Sequence, residues 1–200
     1  MLPTGGAVQY FVADREIFSE GASADYFYTV VSGVIRTCKF RSDGRRQIDA
    51  FHIPGEIFGL EPGSNYRLSA EAVDNCTIIS HRKNKQDLFA GNDALIPREL
   101  FFFAMRGMER AKNHSLLLGR HSAVEKVATF LLDWSEHSDA ENTISLAMSR
   151  QDIADYLSLT IETVSWTLRA ISRPSKKTVY AMFSLETAQA PPRNARAAPV

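Results

Sequence analysis

The first half of the chain alternates short apolar stretches with turn residues. From residue 10 to about residue 85, segments rich in Val, Ile, Phe and Tyr are separated by Gly21, Gly33, Gly44, Pro54–Gly55 and Pro62–Gly63, at intervals of roughly ten residues. Strands punctuated this closely predict an antiparallel sandwich or barrel. Within it, "YFYTVVSGVIRTCKF" predicts two strands joined at Ser32–Gly33, and "SDGRRQI" predicts a hairpin turning at Asp43–Gly44.

The period then changes. Phe101, Ala104, Met108, Ala111, Ser115 and Leu118 recur in alternating steps of three and four, the seam of a helix of about 25 residues. A second series, Leu100, Phe103, Gly107, Arg110, His114 and Leu117, has the same steps and includes polar members. One stripe can pack on the chain's own sheet and the other on a second copy, which makes this a dimer helix; a single amphipathic core helix is the alternative. After a break at residues 119–122, Val124, Val127, Ala128, Leu131 and Leu132 predict another amphipathic helix. A polar loop follows at 139–143. From residue 190, "APPRNARAAPV" has three prolines in eleven residues and no period, which predicts disorder.

Between loop and tail, "MSRQDIADYLSLTIETVSWTLRAI" reads as two short helices around a tight turn. Ser149 can cap the first, with Asp152 three positions on as a shortened capping box and Ile153, Ala154 and Leu157 as its buried face. Thr160 can cap the second, with Ile161, Val164 and Leu168 facing inward. Ser158 and Leu159 leave a turn of only a few positions, which is helix-turn-helix spacing, although a two-helix corner inside a core gives the same pattern. In such a unit the N-terminal, outward residues of the second helix meet base edges, here Glu162, Thr163, Ser165 and Trp166. Glu162 can accept from a cytosine amino group, and Arg150, Gln151 and Arg169 stand where phosphates or the edge of the site would be touched.

Composition narrows the class. With 44% hydrophobic residues in 200 positions, the chain can bury a core. The longest apolar run, "LFFFAM", is far below the roughly 20 residues of a membrane span, and no leader pattern opens the chain, so a cytoplasmic location is expected. Cys38 and Cys76 stand apart and read as small buried residues. The net charge of zero divides unevenly: residues 1–144 hold 16 Lys and Arg against 19 Asp and Glu, whereas 145–200 hold 7 against 4. The positive surplus therefore falls on the helix-turn-helix end, as phosphate contact requires, and equally as ordinary scatter allows. No Ser/His/Asp order, phosphate-cradling glycine loop or paired metal ligand appears, and His114 and His121 read as solvated, so an enzyme is not expected.

The stretch "IFSEGASADYFYTVVSGVIRTCKFRSDGRRQIDAFHIPGEIFGLEPGSNYRLSAEAV", the long helix and "MSRQDIADYLSLTIETVS" together resemble the CRP/FNR family of dimeric transcription regulators, most closely its FixK-type branch. The resemblance covers about residues 11 to 170. It implies an α+β chain: an N-terminal double-stranded β-roll like those that bind cyclic nucleotides (1–95), a long dimerisation helix (96–121), a helix-turn-helix domain (122–184) and a disordered tail (185–200). It also implies that Glu162 and Ser165 fill the first two places of the family's E-x-x-S-R reading triplet. Trp166 stands where that triplet has arginine. An arginine there forks onto guanine O6 and N7, whereas an indole offers one N–H and no charge, a loss of about 1–3 kcal/mol per half-site unless the indole packs sideways and is irrelevant.

Past the second helix, "RAISRPSKKTVYAMFSL" has Pro174 and lacks the glycine turn of the family's two-stranded wing, so the wing is departed or missing. In the roll, Glu56 and Arg67 fall near the family's cyclic AMP contacts, but Leu68 follows Arg67 where a small hydroxyl is wanted and Ser69 comes one place late. No cysteine precedes Cys38, so an iron–sulfur cluster is not expected, and His52 and His81 are unpaired as haem ligands. The resemblance thus implies no cofactor, with double-stranded DNA bearing a TTGAT-like inverted repeat, a second copy and RNA polymerase as partners, and no membrane. The alternative is a DNA-incompetent or degenerate paralogue that dimerises with intact relatives.

Overall fold

Two glycine turns set the connectivity of the sheets. The computed structural model describes residues 6–83, 98–120, 122–136 and 145–171, with 98–100 by their backbone. Eight strands come first: β1 (Ala7–Phe11), β2 (Glu16–Phe18), β3 (Tyr26–Ser32), β4 (Ile35–Phe40), β5 (Arg46–His52), β6 (Ile57–Phe58), β7 (Ser69–Ala72) and β8 (Cys76–Arg82). They form two antiparallel sheets, ordered β1-β8-β3-β6 and β2-β7-β4-β5. Gly33 joins β3 to β4 at φ +78°, and a Cβ there would lie 2.7 Å from the Asn75 carbonyl oxygen, so conformation and space both demand glycine. Gly44, at φ +80°, closes the β4–β5 hairpin where the Asp-Gly pair predicts it.

The two sheets enclose an aromatic stack. Phe18 and Tyr66 lie with ring centroids 3.7 Å apart, and Tyr28 and Phe58 complete the group around Val30, Ile35 and Ile78. Ile35 and Ile78 are fully buried, each contributing about 1.5–3 kcal/mol. The second face of the β4–β5 pair, which a two-sheet sandwich would leave wet, is also covered. Cys38, Ile48 and Phe51 on that face share a cluster with residues of four helices.

Those helices are α1 (Arg98–Leu118), α2 (Ala123–Ser135), α3 (Arg150–Leu157) and α4 (Ile161–Ile171). α2 begins at Ser122, whose side chain accepts from the Glu125 amide while the Glu125 carboxylate accepts from the Ser122 amide, a full capping box. Its buried residues Val127, Ala128 and Phe130 face the sheet, with Phe130 in aromatic contact with Phe51 and Trp134. The two stripes of α1 separate as the sequence allows. Leu117 is buried, Phe103 and Gly107 are half-buried, and Arg110 forms an ion pair with Glu56 on the β5–β6 turn. Of the other stripe, Phe101, Ala104, Met108, Ala111 and Ser115 are exposed and Leu118 is half-buried. His114 corrects the sequence reading: it is not solvated but stacks on Tyr156 with centroids 4.0 Å apart and donates from Nε2 to the Tyr156 carbonyl at 2.9 Å. His121, the polar loop at 139–143, the wing and the tail lie outside the described residues.

His52 and His81 are core residues. The His52 Nε2 meets the Thr37 hydroxyl at 3.1 Å and its ring stacks on Phe58, while His81 Nε2 meets Thr29 Oγ1 at 3.0 Å. Burial pushes the His52 imidazole down to about 3, with the Arg110 guanidinium acting in the same direction. The Glu56 carboxylate lies 3.9 Å from His52 Nδ1 but is engaged by Arg110, so it does not restore the charge. Burial likewise pushes the Cys38 and Cys76 thiols up to about 11.

Two outcomes follow from this burial. An unfolded His52 binds a proton below its ordinary 6.5, whereas the folded one does so only near 3, so stability falls as pH drops through that window. At pH 5 the loss from this residue is about 2 kcal/mol relative to pH 7.5. Urea unfolding at the two pH values should show that loss in the native chain and a correspondingly flatter dependence in His52→Gln; equal slopes would contradict it. The second outcome concerns the thiols. Neither Cys38 nor Cys76 should react with an aromatic disulfide reagent at pH 8 on a timescale of minutes, and both should react at once in 6 M denaturant, about the level that unfolds most domains.

Candidate nucleic-acid interface

Residue 149 starts the unit. Ser149 has extended backbone, its side chain accepts from the Asp152 amide at 3.1 Å, and the Asp152 carboxylate accepts from the Ser149 amide at 3.0 Å, so the shortened capping box forms as predicted. α3 buries Ile153, Ala154 and Leu157. It ends at Ser158, a left-handed residue at φ 53° whose N–H returns to the Ala154 carbonyl. Two residues later Thr160 Oγ1 accepts from the Thr163 amide at 3.2 Å and starts α4.

α4 has one buried face and one exposed face. Val164 is fully buried, Thr167 is buried with its hydroxyl donating to the Thr163 carbonyl at 2.8 Å, and Leu168 packs against the helical core. Ile161 was expected inside and is exposed: it precedes Val164 by three positions but opens the helix beyond the edge of the core, and Thr167 fills the inward place one turn later. On the other side, Glu162, Ser165, Trp166 and Arg169 follow at steps of three, one and three, which places them within a third of the helix circumference. Glu162, Trp166 and Arg169 are exposed, and Ser165 and Thr163 are half-buried. Trp166 is 75% exposed, so it does not pack sideways on its own helix. The Glu162 carboxyl is held below the usual carboxylate range by its own backbone amide and by Thr160, leaving an acceptor at the helix N-terminus.

Arg150 and Gln151 lie exposed in the first turn of α3, where Gln151 donates to Asp155 Oδ1 at 2.7 Å. The structure therefore brings Thr160, Glu162, Thr163, Ser165, Trp166 and Arg169 together on α4 and sets Arg150 and Gln151 on the adjacent helix.

Sequence reasoning missed what lies behind α3. Asp152 is only 3% exposed, and its Oδ1 accepts from Arg36 Nη1 of β4 at 3.2 Å and from Arg46 of β5. Arg36 also bonds Glu71 through Nε at 2.7 Å and Asp14 through Nη2 at 3.0 Å. Arg46 reaches Asp155 at 2.9 Å, and Gln47 donates to the Asp155 carbonyl at 3.0 Å. These groups are 106 to 116 positions apart, so no local spacing rule connects them. Burial works to lower the Arg36 pKa, but hydrogen bonding to Glu71 and Asp14 and the nearby Asp152 and Glu71 charges outweigh it and raise it, so the guanidinium stays charged.

The roll does not fit a cyclic nucleotide at the places that the resemblance assigns. Glu56 is engaged by Arg110 and the Ile53 amide, Arg67 is exposed, and the buried Ser69 hydroxyl accepts from the Glu20 amide. A cyclic phosphate needs an inward cation beside free donors, and these residues do not supply the pair. Among the described residues no group of three or more His, Cys, Asp or Glu is placed to hold a metal ion, and no helix is long and apolar enough to cross a membrane.

Comparison with known proteins agrees with this architecture. The cyclic nucleotide-binding domain family matches residues 8–88, and the Crp-like helix-turn-helix domain family matches residues 125–173. The chain is 45% identical over 185 residues to the nitrogen fixation regulation protein FixK of Azorhizobium caulinodans, covering 87% of this chain and 75% of the relative. It is 40% identical to the transcriptional activatory protein AadR of Rhodopseudomonas palustris, covering 78% of this chain and 67% of that protein. The solved structure of FixK2 from Bradyrhizobium japonicum superposes with a TM-score of 0.77 at 42% identity, covering 84% of this chain and 85% of that one. The two-sheet roll, the long helix, the capped helix-turn-helix and these likenesses place the chain in the CRP/FNR family of transcription regulators, in its FixK-type branch.

Proposed function

We propose that two copies of this chain pair along the exposed stripe of α1 and lay their α4 helices in successive major grooves of an inverted-repeat DNA site, so regulating transcription. The observation that carries this reading is the division of α4 into a buried face around Val164 and an outward face on which Glu162, Trp166 and Arg169 are exposed and Ser165 is half-buried. In this reading residues 1–95 act as a sensor-like roll without a resident cofactor, 96–121 as the dimer helix and 122–184 as the DNA-binding domain. Glu162 reads a base edge, Ser165 and Thr163 flank it, and Arg150, Gln151, Thr160 and Arg169 position the unit on phosphates. RNA polymerase is the further partner when the bound dimer activates, and the cytoplasm is where chain and DNA meet. The name of the FixK relatives supports control of nitrogen-fixation genes, and that of AadR supports activation of transcription.

Trp166 sets the strength of the reading. Without an arginine fork at that place, each half-site forgoes about 1–3 kcal/mol, against a total specific-over-nonspecific gap of about 4–10 kcal/mol. Gel-shift titration at fixed salt on a TTGAT-like inverted repeat and on random duplex tests it. The native chain should prefer the repeat, Glu162→Ala should reduce that preference at least tenfold, and Trp166→Arg should raise it. If the native chain binds both duplexes alike while Trp166→Arg recovers the preference, the chain is instead a partner that titrates intact relatives.

A further inference from the structure

The α3–α4 unit touches the rest of the chain through two kinds of contact with different consequences. The apolar cluster of Leu157, Ile153, Phe51 and Ile48 tolerates small rotations, because dispersion contacts carry little directional preference. The ionic contacts do not. Asp152 and Asp155 receive Arg36 and Arg46 from two neighbouring strands, Gln47 bonds both the Asp155 carbonyl and the Ser158 hydroxyl, and His114 of α1 holds the Tyr156 carbonyl. Four positions over the two turns of α3 and its C-cap, Asp152, Asp155, Tyr156 and Ser158, are thus tied to the roll and to α1 by directional bonds. Arg36 and Asp152, with side chains only 8% and 4% exposed, are too buried for water to replace one for the other.

We infer that Arg36 and Arg46, although both belong to strands of the roll, are positioning residues that set which half-site spacing the dimer reads; this rests on the reading proposed above. The geometry makes the consequence large. α4 packs on α3 at about the 8–10 Å spacing of neighbouring helices, so a tilt of about 10° about the fork moves it by about 1.5 Å, and the two units of a dimer together by about 3 Å, close to one base-pair step. A unit held by a charged fork at the first turn of α3 keeps its tilt. Because the roll's own ligand groups are engaged elsewhere, the fork holds that tilt without a bound effector.

The test uses the full chain and a series of inverted repeats whose spacers differ by one and two base pairs, together with a single half-site, all at one salt concentration. The native chain should favour one spacer at least tenfold over its neighbours. In Arg46→Met that ratio should fall at least fivefold while single half-site affinity stays within twofold, and Arg46→Lys, which keeps charge but not the fork, should recover part of it. Asp155→Asn, a milder change at the partly exposed end of the cluster, carries the same expectation where Arg46→Met proves unfolded by circular dichroism. Unchanged spacing preference in the folded variants, or equal loss on the half-site and on every spacer, would overturn the inference alone. A native chain that binds no repeat at any spacing would overturn the proposed function with it.

Discussion

The carboxylate of Asp152 carries two tasks at once. One oxygen closes the capping box with Ser149 and so fixes where α3 begins; the other receives two arginines from the β-roll. Helix start and helix placement are therefore one event. If the cap frayed, the arginines would lose an oriented acceptor, and if the arginines withdrew, a nearly fully buried carboxylate would be left unpaired, a state that costs about 3–5 kcal/mol. Such an ion pair contributes less to net stability than to specifying one arrangement among several apolar ones.

Everything outward of α3 inherits this constraint. The left-handed Ser158 and the Thr160 cap aim α4 relative to α3, and the cluster of Ile153, Leu157 and Val164 fixes the two helices to each other. The outer face of α4 is left exposed. On the other side, the stacked pair of His114 and Tyr156 ties α3 to α1, whose outward stripe of Phe101, Ala104 and Met108 is the one large apolar row on the described helices without a cover from this chain. One short helix of eight residues thus touches the roll, α1 and α4 alike.

Much of this was legible in the sequence because it is local. The Asp43–Gly44 hairpin, the Ser149 cap, the two stripes of α1 and the inward Val164 follow from turn chemistry and period alone. Ile161 was misjudged because period assigns a face but not where the core ends. His114 was misjudged because a polar residue on an amphipathic helix usually faces water, and its aromatic partner lies 42 positions away. The charge cluster was invisible for the same reason at greater distance: Arg36 alternates with apolar residues on β4 as a solvent-facing residue would, and only the helices covering the second face of the sheet turn it into a buried one.

Trp166 offers the most direct measurement, because the chain has two tryptophans and the other, Trp134, is half-buried with its indole donating to the Ser145 carbonyl. In Trp134→Phe the emission reports α4 alone. Acrylamide should quench it freely in the isolated protein, and adding inverted-repeat duplex should shield it and shift its emission in step with binding measured by anisotropy of the labelled duplex. Saturated binding with quenching unchanged would mean that DNA meets another surface, and that the exposed face of α4 does not read it.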